Sequence, residues 1–180
     1  MFSESSRAAT PVVGNILLVA IVVVLAATAS TFALGVAEDG AQPGPIVGQS
    51  SGELVSDQPT GTRDDQIVRL THVAGDDLTV SELEIVVDAT DACGKRSRIV
   101  NLPTNTLGST NYDGDNIFDY YSPDGGELDT SADGTWSAGE TATFRIKSGG
   151  CQLNSGETIT VRVVHTPTNA VVIERTLSAT

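Results

Sequence analysis

An acidic loop at residues 111–119 carries the side chains best suited to bind a cation. It reads NYDGDNIFD and places Asp113, Asp115 and Asp119 within seven positions. Calcium prefers several carboxylate and carbonyl oxygens gathered from one tight turn, which such a segment can supply. The EF-hand loop also needs a glycine at its sixth position, and counted from Asp113 that position holds Phe118. The segment therefore fits either a solvated acidic loop or a weak calcium site.

The other residues that could do chemistry form no catalytic pattern. His72 and His165 each fall inside a predicted strand, which favours ordinary strand residues over general bases. The motifs GxSxG and HExxH and the phosphate-binding loop are absent from the sequence. We therefore predict that the protein is not an enzyme and needs no cofactor.

The charge balance excludes nucleic acid as a partner. The chain has 23 acidic and 10 basic residues and a net charge of −13, whereas nucleic-acid binding needs a clustered basic surface. An excess of acid is tolerated in concentrated salt, because the Debye length falls to about 3 Å at 1 M. We therefore expect a halophilic protein whose soluble part loses structure when salt is removed.

The segment that sets the architecture is a long uncharged run near the N-terminus. Residues 8–37 include no charged side chain, and residues 11–36 form an apolar run in which Asn15 is the only strongly polar member. As a helix, these 26 residues rise roughly 39 Å, more than the ~30 Å hydrocarbon core of a membrane. The run is apolar on all sides, which excludes an amphipathic surface helix. It predicts a transmembrane helix over residues 9–37.

The residues leave other interpretations of this helix open. A cleaved secretory signal peptide has an apolar stretch of only about 7–15 residues, so a retained single-pass anchor fits the run better. Asn15 is either a tolerated polar residue near the membrane face or a group that hydrogen bonds to a neighbouring helix and sets its register.

Arg7–Gly35 resembles the N-terminal segment of archaeal type IV pilins, especially haloarchaeal ones. The segment reads RAATPVVGNILLVAIVVVLAATASTFALG: a basic residue before a small one, a Thr-Pro-Val element, and an aliphatic helix closing on Phe-Ala-Leu-Gly. The resemblance implies that a prepilin peptidase removes residues 1–8 as a leader by cutting between Ala8 and Ala9. The helix over 9–37 is then retained and packs in a filament.

The remainder is predicted to be a hinge at residues 38–45 and a β-rich head at 46–180. Apolar and polar residues alternate with a period of two, as in half-buried antiparallel strands. We expect an α+β chain, a long hydrophobic helix followed by an all-β, antiparallel, sandwich-like head. Residues 103–133 are expected to form a long loop. Strands are predicted at 66–73, 83–87, 98–102, 139–146 and 156–163, with a final hairpin around the turn at 166–169.

The two cysteines, Cys93 and Cys151, lie 58 positions apart. Metal sites need close pairs of cysteine or histidine ligands, which neither cysteine has. For a head outside the membrane, a disulfide is the economical assignment and two free thiols are the alternative.

Two functions from different classes fit these observations. The resemblance implies a structural subunit of an archaeal type IV pilus-like surface filament, anchored in the membrane before assembly and serving adhesion. Its partners would be the membrane, further copies of itself or related pilins, the prepilin peptidase, and the assembly platform with its ATPase. It would cross the cell membrane once, with the N-terminus cytoplasmic and the head extracellular. The alternative is a monomeric, single-pass, membrane-anchored binding module.

Overall fold

The structure is a computed structural model that describes residues 9–38, 43–56, 65–123 and 125–180. The chain divides into two compact units, residues 1–42 and residues 43–180. The predicted leader, and residues 39–42 of the predicted hinge, lie outside the described residues.

The first unit contains the predicted N-terminal helix, which the structure confirms. Helix α1 spans Ala9–Glu38, and Pro11 lies in its first turn, where a missing backbone N–H costs no hydrogen bond. Among the residues that the structure describes, no helix combines the length and the apolar character that crossing a membrane requires.

The second unit is built almost entirely from short strands, as the period-two alternation predicted. Its described residues also include a 3-10 turn at Val80–Glu82 and a short helix α2 at Thr90–Cys93. The strands are β1 (Val47–Val55), β2 (Asp65–Gly75), β3 (Leu78–Thr79), β4 (Leu83–Ala89), β5 (Lys95–Ile99), β6 (Tyr112–Gly114), β7 (Thr135–Trp136), β8 (Thr141–Lys147), β9 (Thr158–His165) and β10 (Ala170–Ser178).

These strands form two main sheets that share one hydrophobic core. One sheet has the order β1-β2-β8, the other has the order β10-β9-β4-β5-β6, and a small β3-β7 pair lies beside them. Every pairing between named strands is antiparallel. The residues predicted to face inward are buried, which confirms the alternation: Ala142, Phe144, Ile146, Ile159, Val161 and Val163.

Some predicted strand positions are corrected by the structure. The strand expected at 98–102 is β5, which begins at Lys95 and ends at Ile99. It ends there because Asn101 adopts a left-handed conformation with a φ of 56°, which breaks the extended backbone. The long loop expected at 103–133 contains the short strand β6, paired with β5.

Strand β1 was not predicted, and it closes the gap between the two main sheets. It pairs antiparallel with β2 along its length, and at its far end Leu54 forms a parallel bridge with Ala179. The Thr180 N–H donates to the Leu54 carbonyl at 3.2 Å, and the Arg175 guanidinium donates to the Ser50 hydroxyl at 3.0 Å. Strands β1 and β10 therefore run side by side in the same direction.

A disulfide joins Cys93 at the end of α2 to Cys151 in the segment after β8, with the two Cα atoms 5.6 Å apart. The buried side chain of Gln66 holds the same segment from the other side. Its amide donates to the Cys151 carbonyl at 2.7 Å and accepts from the Leu153 N–H at 2.5 Å. The irregular segment between β8 and β9 is thus fixed by a covalent bond and by a buried amide.

Candidate functional site

Helix α1 exposes a continuous apolar surface. Large aliphatic side chains between Val13 and Leu25 are each 51–65% exposed. Successive residues of a helix point about 100° apart, so these side chains cover every direction around the axis. They are Val13, Ile16, Leu17, Leu18, Val19, Ile21, Val22, Val23, Val24 and Leu25.

Burial of this apolar surface strongly favours association of the helix in water. Burying one large aliphatic side chain contributes about 1.5 kcal/mol or more, so ten of them contribute on the order of 15 kcal/mol. Association typically costs roughly 4–15 kcal/mol in lost translational and rotational freedom. Burial of the helix among copies therefore offsets that cost. In a lipid environment, where the tails already cover the helix, this driving force is absent.

The predicted cleavage site borders this helix. Ala9 is the first residue of α1, whereas Ala8 lies outside the described residues. Cleavage between them stays a prediction.

The candidate calcium ligands are not gathered into one site. Asp113 accepts from Arg98 at 2.7 Å, Asp115 accepts from the Arg96 backbone N–H at 2.9 Å, and Asp119 accepts from the Tyr121 N–H at 2.7 Å. Over the described part of the chain, no group of three or more histidine, cysteine, aspartate or glutamate side chains could hold a metal ion. The three carboxylates instead accept hydrogen bonds from an arginine side chain of β5 and from two backbone N–H groups.

The two histidines lie in strands, as predicted, and both are buried. His72 places Nδ1 3.3 Å from the Trp136 carbonyl. His165 places Nδ1 2.8 Å from the Thr168 hydroxyl and Nε2 3.4 Å from a Glu82 carboxylate oxygen. His165 thereby ties the β9–β10 turn to the 3-10 turn that precedes β4.

The outer face of the five-stranded sheet carries an ordered row of charges, which we call the charged row. The strand registers place five residues side by side from β6 to β10: Asp113, Arg98, Val86, Arg162 and Glu174. Arg98 bonds to Asp113 at 2.7 Å, and Arg162 bonds to Glu174 at 3.1 Å. The row thus has an ion pair on each side and the apolar Val86 in the middle.

The two arginines of β5, Arg96 and Arg98, differ in how their guanidinium donors are used. Arg98 donates to Asp113 through Nε and Nη2 and to Glu84 through Nη1 at 3.2 Å. The Asp113 hydrogen bond and the charge of Glu84 raise the pKa of Arg98. Arg96 is 62% exposed, and its Nε lies 3.9 Å from Asp88. Its guanidinium makes no hydrogen bond to any residue that the structure describes.

A shallow pocket of about 330 Å³ opens at this point of the sheet. Val86 lies among its lining residues, with the others being Arg96, Ser97, Arg98, Asp113 and Gly114. An added Cβ at Gly114 would lie 2.7 Å from the Arg96 carbonyl, so a glycine is required for this close approach of β6 to β5. This pocket was not predicted from the sequence, in which the basic segment KRSR of an acidic chain is the signal that could have indicated it.

A comparison with known protein families matches the part of the chain that contains the apolar helix. A family model described as archaeal type IV pilin, N-terminal, matches residues 7–48, roughly a quarter of the chain. No curated protein is significantly similar to the chain. The matched residues include all of α1 and the start of β1. Over residues 7–48, the chain is therefore similar to the N-terminal segment of archaeal type IV pilins.

Proposed function

We propose that this protein is a structural subunit of an archaeal type IV pilus-like surface filament. The observation that carries the proposal is the apolar surface of α1, exposed on all sides between Val13 and Leu25 within the pilin segment. A helix of this kind needs a cover of lipid or of neighbouring helices. The same segment can therefore anchor the subunit first and form the core of a polymer later.

The proposal includes an order of events. The chain is inserted once across the cell membrane, with its N-terminus cytoplasmic and its head extracellular. A prepilin peptidase cuts between Ala8 and Ala9, and an assembly platform with its ATPase moves the subunit out of the lipid. The helices of successive copies then pack together, and the β-rich heads face outward, where they serve adhesion.

Processing of the N-terminus tests this function. We expect mass spectrometry of protein sheared from the cell surface to give a mature chain that begins at Ala9. Electron microscopy should show filaments that are lost when the gene is deleted. An intact Met1 or Phe2 would favour the monomeric anchor instead. A mature chain that begins after Ala37 would contradict both assignments, because it would lack the helix.

A membrane-anchored binding module is the second candidate, and the pocket beside Val86 favours it. It differs from the filament subunit in keeping its leader and in staying a single copy in the membrane. The same mass measurement separates the two, because only the filament subunit needs the cut that exposes Ala9.

We also propose that the head is adapted to concentrated salt. Burial raises the pKa of the Glu127 carboxyl, and the nearby charges of Glu140 and Asp133 raise it further. These three carboxylates repel one another when ionised, and dissolved salt screens that repulsion.

We expect the β-sheet circular dichroism signal of the full-length protein in detergent to fall as salt is lowered from molar to millimolar concentration. The physical reason is that repulsion among the surface carboxylates is no longer screened. A Glu127→Gln variant should need less salt than the wild type, because it removes one of three crowded charges. A signal that stays unchanged over this range would contradict the proposal.

A further inference from the structure

The pocket beside Val86 has one unused set of hydrogen-bond donors. Arg98, on one side, already directs its three donor nitrogens to Asp113 and Glu84. Arg96, also in the lining, makes no side-chain hydrogen bond to a described residue and is 62% exposed. A guanidinium presents two parallel N–H groups that match a carboxylate. The pocket is therefore equipped to hold one planar anionic group.

The carboxylates around Arg96 limit how much negative charge a ligand can carry. Asp88 lies 3.9 Å from Arg96, and Glu84 and Asp113 flank Arg98. A phosphate or sulfate dianion would be repelled by these nearby carboxylates, whereas a single carboxylate adds one charge opposite a guanidinium whose hydrogen-bond donors are unused. The electrostatics favour a ligand with one negative charge in the pocket.

Two of the remaining lining groups can bind other parts of a sugar: one can accept a hydrogen bond from a hydroxyl, and one can contact the apolar face of the ring. Asp113 is 65% exposed and uses only Oδ2 toward Arg98, so its Oδ1 can accept a hydroxyl. Val86 supplies an apolar contact in the middle of the row. A volume of about 330 Å³ lies at the lower end of the range for small-molecule sites, about 300–1,000 Å³, which suits one or two sugar rings.

We propose that this pocket binds a carboxylate-bearing saccharide, with the sugar carboxylate on Arg96, a ring hydroxyl on Asp113 and a ring face on Val86. The Arg96 and Asp113 side chains are 62% and 65% exposed, so both groups are available to a saccharide from solution. The proposal goes beyond filament formation and does not depend on it, because the site lies wholly within the head.

Calorimetric titration of the full-length protein in detergent micelles tests this proposal. The probes are the monosaccharide galacturonate, its methyl ester and inorganic phosphate. We expect galacturonate to bind at least tenfold more tightly than the ester, since the ester lacks the charge that Arg96 recognises. Arg96→Gln should weaken galacturonate binding by about tenfold or more, as expected for loss of a charge-assisted bidentate pair.

Arg69→Gln is the matched control for this variant. Arg69 is an exposed arginine paired with Glu53 at 2.5 Å on the other main sheet, so its loss changes the net charge equally but leaves the pocket intact. It should bind galacturonate as the wild type does. Equal affinity of the wild type for the acid and the ester, or equal loss in both arginine variants, would overturn the proposal.

Asp113→Asn distinguishes this site from a general anion site. The substitution frees Arg98 from one carboxylate and removes the proposed hydroxyl acceptor. We expect galacturonate to bind more weakly and inorganic phosphate to bind more tightly than in the wild type. Wild-type protein that binds phosphate as well as the saccharide, or that binds neither, would contradict the assignment. If Arg96→Gln left saccharide binding unchanged but abolished surface filaments, the face would be a subunit contact and the proposal would be wrong.

Discussion

A Val22→Asp variant is expected to abolish filament assembly. Val22 lies in the middle of the exposed apolar surface of α1 and is itself 55% exposed. If that surface is buried among neighbouring helices, each added subunit would bring an unpaired carboxylate into an apolar core, at a cost of several kcal/mol. A penalty of about 4 kcal/mol for each subunit weakens its addition roughly a thousandfold. Electron microscopy of cells that express the variant as their only copy should show bare surfaces.

Val22→Leu is the control for this experiment, because it keeps the helix apolar and should leave filaments intact. The level of protein in the membrane fraction must be measured for both variants, since a carboxylate also weakens insertion into lipid. Bare surfaces with normal membrane levels would support burial of the helix between copies. Normal filaments of Val22→Asp would show that this side of the helix is not buried and would contradict the proposed assembly.

Removal of the disulfide is expected to give the largest loss of stability in the head. Closing a loop of 58 residues restricts the unfolded chain by roughly 4 kcal/mol in the chain-entropy model. A double variant with Cys93→Ala and Cys151→Ala should therefore unfold at a temperature roughly 10–15 °C below the wild type. Thermal unfolding followed by circular dichroism in constant salt measures the difference.

Reduction of the disulfide in the wild-type protein is the matched control for the double variant. Wild-type protein incubated with a thiol reductant under mild denaturation should acquire the lower unfolding temperature of the double variant, whereas the variant should not respond. An unfolding temperature that neither the substitutions nor the reductant change would mean that the cysteines do not stabilise the head. The hydrogen bonds of the Gln66 side chain would then be the main interactions that hold the segment after β8 in place.

The parts of the fold that could be predicted are those in which burial alternates along one strand. Strands β8 and β9 were placed to within about two residues, because a core face such as Phe144 and Ile146 repeats every second position. The long helix was equally predictable, since an uncharged apolar run of this length can adopt few other structures. Local sequence carries both signals.

Strand β1 and the pocket could not be predicted because neither has a local signal. The sequence VGQSSGELV of β1 is rich in glycine and serine, and β1 is a strand only because β2 and β10 supply partners. The pocket forms where the strand registers place Arg98 between Val86 and Asp113. The acidic loop shows the converse, since Asp113 and Asp115 looked like ion ligands but bond to β5.

The parallel course of β1 and β10 has a mechanical consequence. Both strands begin at the same end of the head, where an added Cβ at Gly44 would lie 2.8 Å from Thr168, and both finish together at Leu54 and Ala179. A pull on Pro43 directed along β1 would load its hydrogen bonds to β2 in shear, so that they must yield together. A pull directed across the strand would instead break them one at a time. The β1–β2 pairing is therefore strongest against a force along the strand.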